Sequence, residues 1–228
     1  MTALHYPGKI FMYPCAGNDI SEPVRAFGEL YDTFLFVDLK YCSVSKVPEI
    51  SGWSEVRGSQ RRFGSVNSSI RFDQDGQSKF RVVDPEWFCS DFINETTGRR
   101  ILLIRRRGFG QYALHELPDA SLSMFMHRGD STGEGGSNVF YLANRKTSHK
   151  PISNLLDLIK RKMKNPALIA SDGSNTGISK LRDAANGVEA IDSFTSHGLK
   201  WQLQQASGLI SSRTKVWEVS PLNMGQKI

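Results

Sequence analysis

The first forty residues constrain the fold more than any other part of the chain. Residues 9–13, Lys-Ile-Phe-Met-Tyr, form a short apolar run, and residues 33–37, Thr-Phe-Leu-Phe-Val, form a second one. Continuous apolar runs of this length are typical of strands that are buried on both faces. Residues 14–19 contain turn-forming residues, and residues 21–30 have the start signals and apolar spacing of a short helix. The pattern predicts a strand–helix–strand unit with parallel strands and a right-handed crossover.

Further strand and helix patterns follow along the chain. Residues 69–83 alternate apolar and polar side chains around a turn, and residues 87–104 contain two strand patterns joined by a turn. These patterns predict two β-hairpins. Residues 121–126 and 167–170 predict two more strands. Residues 153–164 carry apolar side chains at helical spacing and predict a helix.

Length and composition fit one globular domain. The chain has 228 residues, of which 39% are hydrophobic and 23% are charged. These values are ordinary for a folded domain of this size. We predict a single α/β domain over residues 1–228, with a Rossmann-like, mixed and mainly parallel sheet and helices on both faces. Residues 52–110 are expected to form a flap and a β-hairpin insertion in this domain.

The cysteines and the apolar runs indicate a cytoplasmic protein without a membrane partner. No apolar run approaches the ~20 residues of a membrane-spanning helix, and residues 1–8 lack the pattern of a secretory leader. The three cysteines, Cys15, Cys42 and Cys89, are widely spaced and odd in number, which argues against a disulfide framework and a zinc site. We expect reduced thiols, with a nucleophilic Cys15 as the alternative.

The loop after the first strand has the features of a small-ligand site. Gly17 permits close approach because it has no side chain, and the turn is expected to free backbone N–H groups. Asp38 follows the second strand, 21 positions after Gly17. That spacing is close to the ~20 typical of nucleoside-binding units, in which an acidic residue accepts hydrogen bonds from ribose. Tyr13 and Asp19 border the same loop. Alternatively, Gly17 makes a turn, and Asp19 and Asp38 cap neighbouring elements.

In these residues the chain resembles the Rossmann-like class I S-adenosylmethionine-dependent methyltransferases. Their first loop is similar to Pro-Cys-Ala-Gly-Asn-Asp at residues 14–19. The resemblance implies S-adenosylmethionine as the cofactor, with Gly17 and Asp19 beside its methionine end and Asp38 at its ribose. The chain departs from the family because its loop has one glycine, and because residues 84–87, Asp-Pro-Glu-Trp, differ from the family's Asp/Asn-Pro-Pro-Tyr/Phe motif. The group to be methylated therefore stays open.

A polar, glycine-rich loop over residues 127–138 is the second candidate site. It follows a predicted strand, where open α/β sheets place ligands, and successive glycines let backbone amides bind anions. His127 and Asp130 are the candidate catalytic residues, because imidazole and carboxylate groups can transfer protons. The other candidate ligand-binding residues of this loop are Arg128, Ser131, Glu134, Gly135, Gly136 and Ser137. A hairpin loop with polar side chains is the alternative.

Asp172 follows the predicted strand at residues 167–170 and is a further candidate for ligand binding. A hydrolase that uses Asp172 with Asp130 and Glu134, through water or Mg²⁺, requires the fold to bring these carboxylates together. We keep this function as a third hypothesis and predict no metal site. A helix cap or a turn explains Asp172 equally well.

Three consecutive arginines, Arg105, Arg106 and Arg107, end one of the predicted strands. The net charge of +6 permits an acidic partner. Because an alternating strand cannot bury three successive arginines on one face, we expect them to leave the sheet and face solvent or a nucleic acid. A solvated strand end is the alternative.

Two principal functions follow from these patterns. The first is binding of an adenosine-containing or other nucleotide-like small molecule at the strand tips, with methyltransferase-like group transfer if the chain is an enzyme. The second is a non-catalytic, basic protein that binds or sequesters a nucleotide signal or a nucleic acid.

Overall fold

The computed structural model contains thirteen strands and four helices in the part of the chain that it describes. The described residues are 6–14, 16–38, 49–64, 70–73, 80–83, 86–108, 110–128, 155–174, 176–204, 210 and 213–222. The strands are β1 (Ile10–Pro14), β2 (Thr33–Asp38), β3 (Trp53–Glu55), β4 (Arg61–Gly64), β5 (Ile70–Asp73), β6 (Phe80–Val83), β7 (Glu86–Asn94), β8 (Arg100–Arg107), β9 (Leu122–His127), β10 (Met163–Ser171), β11 (Ser193–Ser196), β12 (Leu199–Gln204) and β13 (Lys215–Pro221). The helices are α1 (Ser21–Phe27), α2 (Gly110–Glu116), α3 (Leu155–Lys162) and α4 (Ser179–Ala185).

The predicted strand–helix–strand opening is confirmed. Strands β1 and β2 pair in parallel, from Ile10 opposite Thr33 to Pro14 opposite Val37. Helix α1 connects them and buries Val24 among its apolar residues. The opening forms because its signals are local: two apolar runs short enough for strands are separated by a turn and one amphipathic helix.

The predicted fold class is wrong, because the structure is dominated by strands. Eleven strands form one mixed sheet, in the order β11-β12-β13-β10-β9-β1-β2-β8-β7-β3, with β4 also paired to β7. Six pairings within it are antiparallel, and four are parallel. The four described helices have only seven or eight residues each. They are too few and too short to form the two helical layers that a Rossmann-like sheet requires.

Both predicted hairpins are present, and they differ in their place in the fold. Strands β7 and β8 pair antiparallel within the main sheet, where β8 also pairs in parallel with β2. Strands β5 and β6 form a separate two-stranded sheet. At the other end, β13, β12 and β11 extend the sheet from β10 through successive antiparallel pairs. These antiparallel additions give the sheet its predominant character.

The apolar runs of β1 and β2 are buried on both faces of the sheet. One core cluster contains Phe11, Phe34 and Phe36 together with the buried residues of α1. The opposite cluster contains Met12 and Leu35 with residues of α2, α3 and α4. Burying a side chain of this size stabilises the fold by about 1.5–3 kcal/mol. Strands β1 and β2 therefore form a rigid support for the loops at their ends.

None of the helices in the described ranges combines the length and the apolar composition of a membrane-spanning segment.

Candidate functional site

Five adjacent strands at the centre of the sheet run in the same direction. Their order is β8, β2, β1, β9 and β10, and each pairs in parallel with its neighbour. The carboxyl ends of parallel strands meet at one edge of a sheet. The chain leaves β1 towards β2 on one side, whereas β9 lies on the other side. In open sheets, ligands bind beyond the strand ends at such a reversal. The corresponding space here lies beyond the ends of β1 and β9. We call this space the β1–β9 crevice.

Asp38 at the end of β2 holds the loop after β1. The Gly17 N–H donates a hydrogen bond to Asp38 Oδ2 over 3.0 Å. Gly17 has a φ of +54°, and a Cβ atom at this position would meet no other atom within 4 Å. The two residues that the sequence paired by spacing are therefore in contact, and the volume above Gly17 is open.

The prediction that the turn frees backbone N–H groups is wrong for most of this loop. The Ala16 N–H donates to the Val37 carbonyl, and the Gly17 N–H donates to Asp38. The Asp19 N–H donates to the Ala16 carbonyl over 2.8 Å, and the Ile20 N–H donates to the Asn18 carbonyl over 2.9 Å. The tight turn uses these donors to hold its own shape. The Asp38 carboxylate therefore takes an N–H group that the sequence assigned to a ligand.

Arg128 joins the two candidate loops across the β1–β9 crevice. Its Nη1 donates to Asp19 Oδ2 over 2.9 Å and also contacts Glu22 Oε2. The Tyr13 hydroxyl donates to the same Asp19 oxygen over 3.2 Å. The start of the 127–138 loop and the loop after β1 thus meet at Arg128 and Asp19, while residues 129–138 lie outside the described residues.

Burial and charge act in opposite directions on this group of residues. Desolvation raises the pKa of the Asp19 carboxyl, and the adjacent Arg128 charge opposes this shift only in part. Desolvation lowers the pKa of Arg128, but the hydrogen bond to Glu22 and the Asp19 charge outweigh it and raise the pKa overall. Arg128 therefore stays charged, and among the described residues two carboxylates contact this one cation.

His127 is a buried residue at the end of β9, with 1% of its surface exposed. Its Nε2 lies 2.8 Å from the carbonyl oxygen of Ser174. Because a carbonyl only accepts, Nε2 carries the proton in this hydrogen bond. In this arrangement His127 connects β9 to the loop after β10.

Asp172 lies in a compact turn after β10. Its Oδ1 accepts the Ser174 N–H over 3.0 Å, and Ser171 Oγ accepts the Gly173 N–H over 3.0 Å. A Cβ atom on Gly173 would lie only 2.4 Å from the backbone nitrogen of Arg182. The turn therefore needs glycine at this position and holds Asp172 at the same edge as His127. The described residues contain no group of three or more His, Cys, Asp or Glu side chains able to hold a metal ion.

Several predicted site residues lie outside the described residues. They are Asp130, Ser131, Glu134, Gly135, Gly136 and Ser137, together with Cys15.

The expected exposure of the arginine run is wrong for two of its three members. Arg105 is 2% exposed and Arg106 is 1% exposed, whereas Arg107 is exposed. The Arg106 guanidinium lies 4.8 Å from the centre of the Trp87 ring, and its Nη2 donates to Glu116 Oε1 over 2.6 Å. The Arg105 guanidinium lies 5.5 Å from the centre of the Phe88 ring. Strand β7 supplies an aromatic ring opposite each buried arginine, which makes burial of the stacked cations possible.

Sequence reasoning missed the role of Glu22 at the site. The sequence places Glu22 in the first turn of the predicted helix, where a carboxylate suits the helix amino terminus. Its position three residues after Asp19 was the available signal, since both carboxylates then lie near the start of one short helix. The arginine that they bind is 106 positions away from Glu22, and no local pattern indicates it.

Comparison with known proteins adds no assignment. No protein-family model matches the chain, and a search of curated proteins also finds no match.

Proposed function

We propose that this chain binds an adenosine-containing small molecule at the β1–β9 crevice, and that S-adenosylmethionine is the cofactor if the chain is an enzyme. The observation that carries the proposal is the Gly17–Asp38 hydrogen bond of 3.0 Å, with open space above Gly17. The bond holds an acidic acceptor beside a position where a ligand meets no side chain. Both features suit a ribose whose hydroxyls need acceptors.

The hydrogen-bonding capacity of Asp38 supports this proposal. An ionised carboxylate has about four acceptor positions. The Gly17 N–H uses Oδ2 and thereby orients the group. We propose that the ribose hydroxyls donate to this carboxylate in addition to the partners that it has in the unliganded chain. The Asp38 carboxylate thus has a structural partner and a proposed ligand partner at the same time.

The charges beside the crevice favour a ligand without phosphates. Asp19 and Glu22 share the single guanidinium of Arg128. An additional phosphate would face two carboxylates, and like charges repel at these distances. S-adenosylmethionine carries a sulfonium, an ammonium and one carboxylate, so its net charge suits this environment better than that of ATP. For this reason we place S-adenosylmethionine ahead of adenine nucleotides.

Methyl transfer is the reaction class that we propose if the bound ligand reacts. Asp130 stays a candidate catalytic residue from the sequence. For His127 the buried hydrogen bond to Ser174 supports a positioning role, because the ring connects the ends of β9 and β10. We also propose a cytoplasmic location, since Cys89 is a free and buried thiol.

Calorimetric titration tests the proposal directly. The unmodified chain is titrated with S-adenosylmethionine, S-adenosylhomocysteine and ATP. The Asp38→Asn variant keeps an oxygen for the Gly17 N–H but loses the charge, so it is expected to fold and to bind the two sulfur-containing ligands at least ten-fold more weakly. Asp192→Asn is the matched control, because Asp192 is exposed and lies beside β11 at the far end of the sheet. Failure of all three ligands to bind would refute the proposal.

The alternative of a basic nucleic-acid binder receives less support. It relied on Arg105, Arg106 and Arg107 as a polyanion-binding surface. Burial of Arg105 and Arg106 leaves only Arg107 exposed in that run.

A further inference from the structure

We propose that Arg128 is an ionic strap that closes the β1–β9 crevice in the unliganded chain, and that a ligand entering the crevice breaks its contacts with Asp19 and Glu22. This inference rests on the proposed function, because it concerns how the same site admits its ligand.

The position of Arg128 carries the first part of the inference. Arg128 directly follows β9, whereas Asp19 lies in the loop after β1 and Glu22 lies in the first turn of α1. Strands β1 and β9 are adjacent and parallel, so the guanidinium crosses from one strand end to the other. Arg128 and Asp19 are 109 positions apart in the sequence. Their contact therefore spans the crevice in which we place the ligand.

The exposure of the three side chains carries the second part. Arg128 is 22% exposed, Asp19 is 33% exposed and Glu22 is 38% exposed. Partly exposed ion pairs contribute little net stability. A ligand that must break one of them therefore binds only about five-fold more weakly, or less, than it would without the ion pair. The Arg106–Glu116 pair differs, because Arg106 is 1% exposed and its charge cannot be rehydrated in place. Arg128 can reach water after a side-chain rotation, so a ligand of ordinary affinity is able to displace it.

Tyr13 provides the third part. Its hydroxyl donates to Asp19 Oδ2 over 3.2 Å, the same oxygen that Arg128 contacts. When Arg128 leaves, the partly exposed Asp19 carboxylate retains this donor. The remaining hydrogen bond lowers the cost of opening the strap.

Two other roles for Arg128 give opposite experimental results. If Arg128 binds the ligand itself, removing it weakens ligand binding. If Arg128 is only a structural tie, removing it leaves ligand affinity unchanged. If it is a strap, removing it strengthens binding, since the ligand no longer competes with the ion pairs.

The test uses Arg128→Gln, with Arg128→Lys as the conservative variant. A lysine ammonium retains the charge but ends on a shorter side chain than the Nη1 that contacts both carboxylates, so its effect is expected to be intermediate. Arg161→Gln is the matched control, because Arg161 is 56% exposed and forms an ion pair with Asp119 over 3.4 Å. This pair connects the end of α3 to the turn before β9, at the opposite edge of the sheet.

Hydrogen exchange in the unliganded chain is the first measurement. We expect residues 17–22 to exchange several-fold faster in Arg128→Gln than in the unmodified chain, because Arg128 no longer holds this loop to β9. Arg161→Gln is expected to leave these residues unchanged. Equal exchange in Arg128→Gln and the unmodified chain would overturn the inference without any reference to a ligand.

Calorimetry with S-adenosylhomocysteine and S-adenosylmethionine is the second measurement. Arg128→Gln is expected to bind them roughly three- to ten-fold more tightly, with Arg128→Lys between it and the unmodified chain. Equal or weaker binding by Arg128→Gln contradicts the strap while leaving the proposed function intact. Absence of binding in every variant refutes the proposed function, and the strap with it.

Discussion

Arg106 Nη2 lies 2.6 Å from Glu116 Oε1, although only 1% of the arginine side chain is exposed. Desolvation lowers the pKa of Arg106, and the charge of Glu116 opposes this shift. Within the described part of the chain, Nε and Nη1 of Arg106 have no hydrogen-bond partner. The half-exposed Glu116 carboxylate is thus the main polar group that stabilises the buried Arg106 cation at the end of β8.

Glu116→Gln is expected to destabilise the chain by about 1–3 kcal/mol, because it removes the countercharge of a buried guanidinium. Urea denaturation followed by circular dichroism measures the change. Glu189→Gln is the control, since Glu189 pairs with Lys180 over 2.7 Å and both side chains are about half exposed. We expect little or no effect there. Equal losses in the two variants would contradict the role of burial.

Arg106→Met is expected to cost less stability than Glu116→Gln, although it removes the larger polar group. The methionine fills similar space beside Trp87 without any unsatisfied donor, and the remaining Glu116 side chain is 45% exposed and can be hydrated. The same urea denaturation experiment checks the order of the two variants. A greater loss in Arg106→Met would show that the stacking on Trp87 outweighs the desolvation of the charge.

Two glycine substitutions separate backbone strain from steric overlap. Gly17 and Gly173 have φ values of +54° and +74°. Gly17→Ala is expected to cost about 1–2 kcal/mol from the left-handed backbone alone, since its Cβ meets no other atom. Gly173→Ala should cost more, because its Cβ would lie 2.4 Å from the backbone nitrogen of Arg182. Thermal unfolding ranks the two, and a smaller loss for Gly173→Ala counts against the packing of this turn.

Stability should depend on pH through Asp19. Burial raises the pKa of this carboxyl above its ordinary value of 3.8 in the folded chain. Between the two values the folded state holds a proton that the unfolded state has lost, so this contribution to stability falls as the pH rises through the window. The free energy of unfolding of the unmodified chain, minus that of Asp19→Asn, is expected to decrease as the pH rises above 3.8. An increase would mean that the attraction to Arg128 exceeds the cost of desolvation.

Cys89 should be unreactive in the folded chain. Burial raises the pKa of its thiol to about 11, and only the thiolate attacks thiol reagents. In a variant with Cys15→Ser and Cys42→Ser, we expect the remaining thiol to react with a disulfide reagent at pH 8 far more slowly than in the urea-unfolded chain. Equal rates in both states would contradict its burial.

The patterns that predicted structure correctly act over short distances. The hairpin of β7 and β8 followed from two strand patterns and the turn between them, and the β1–α1–β2 unit followed from two apolar runs and a helix start. Spacing also paired Gly17 with Asp38, because a strand–helix–strand unit returns its second strand beside its first. The mainly parallel sheet failed as a prediction, since a strand pattern does not state which neighbour the strand takes or in which direction.

By itself, the sequence determined the β1–α1–β2 unit, the two hairpins and the strand patterns of β9 and β10, since turn residues and apolar spacing are local properties of the chain. Only the tertiary structure decided that Arg105 and Arg106 are buried, because the rings that stack on them belong to β7. It also decided that Arg128 meets Asp19 and Glu22, more than one hundred residues away. Such contacts depend on which strands become neighbours, and that choice minimises the free energy of the whole sheet rather than of any one segment.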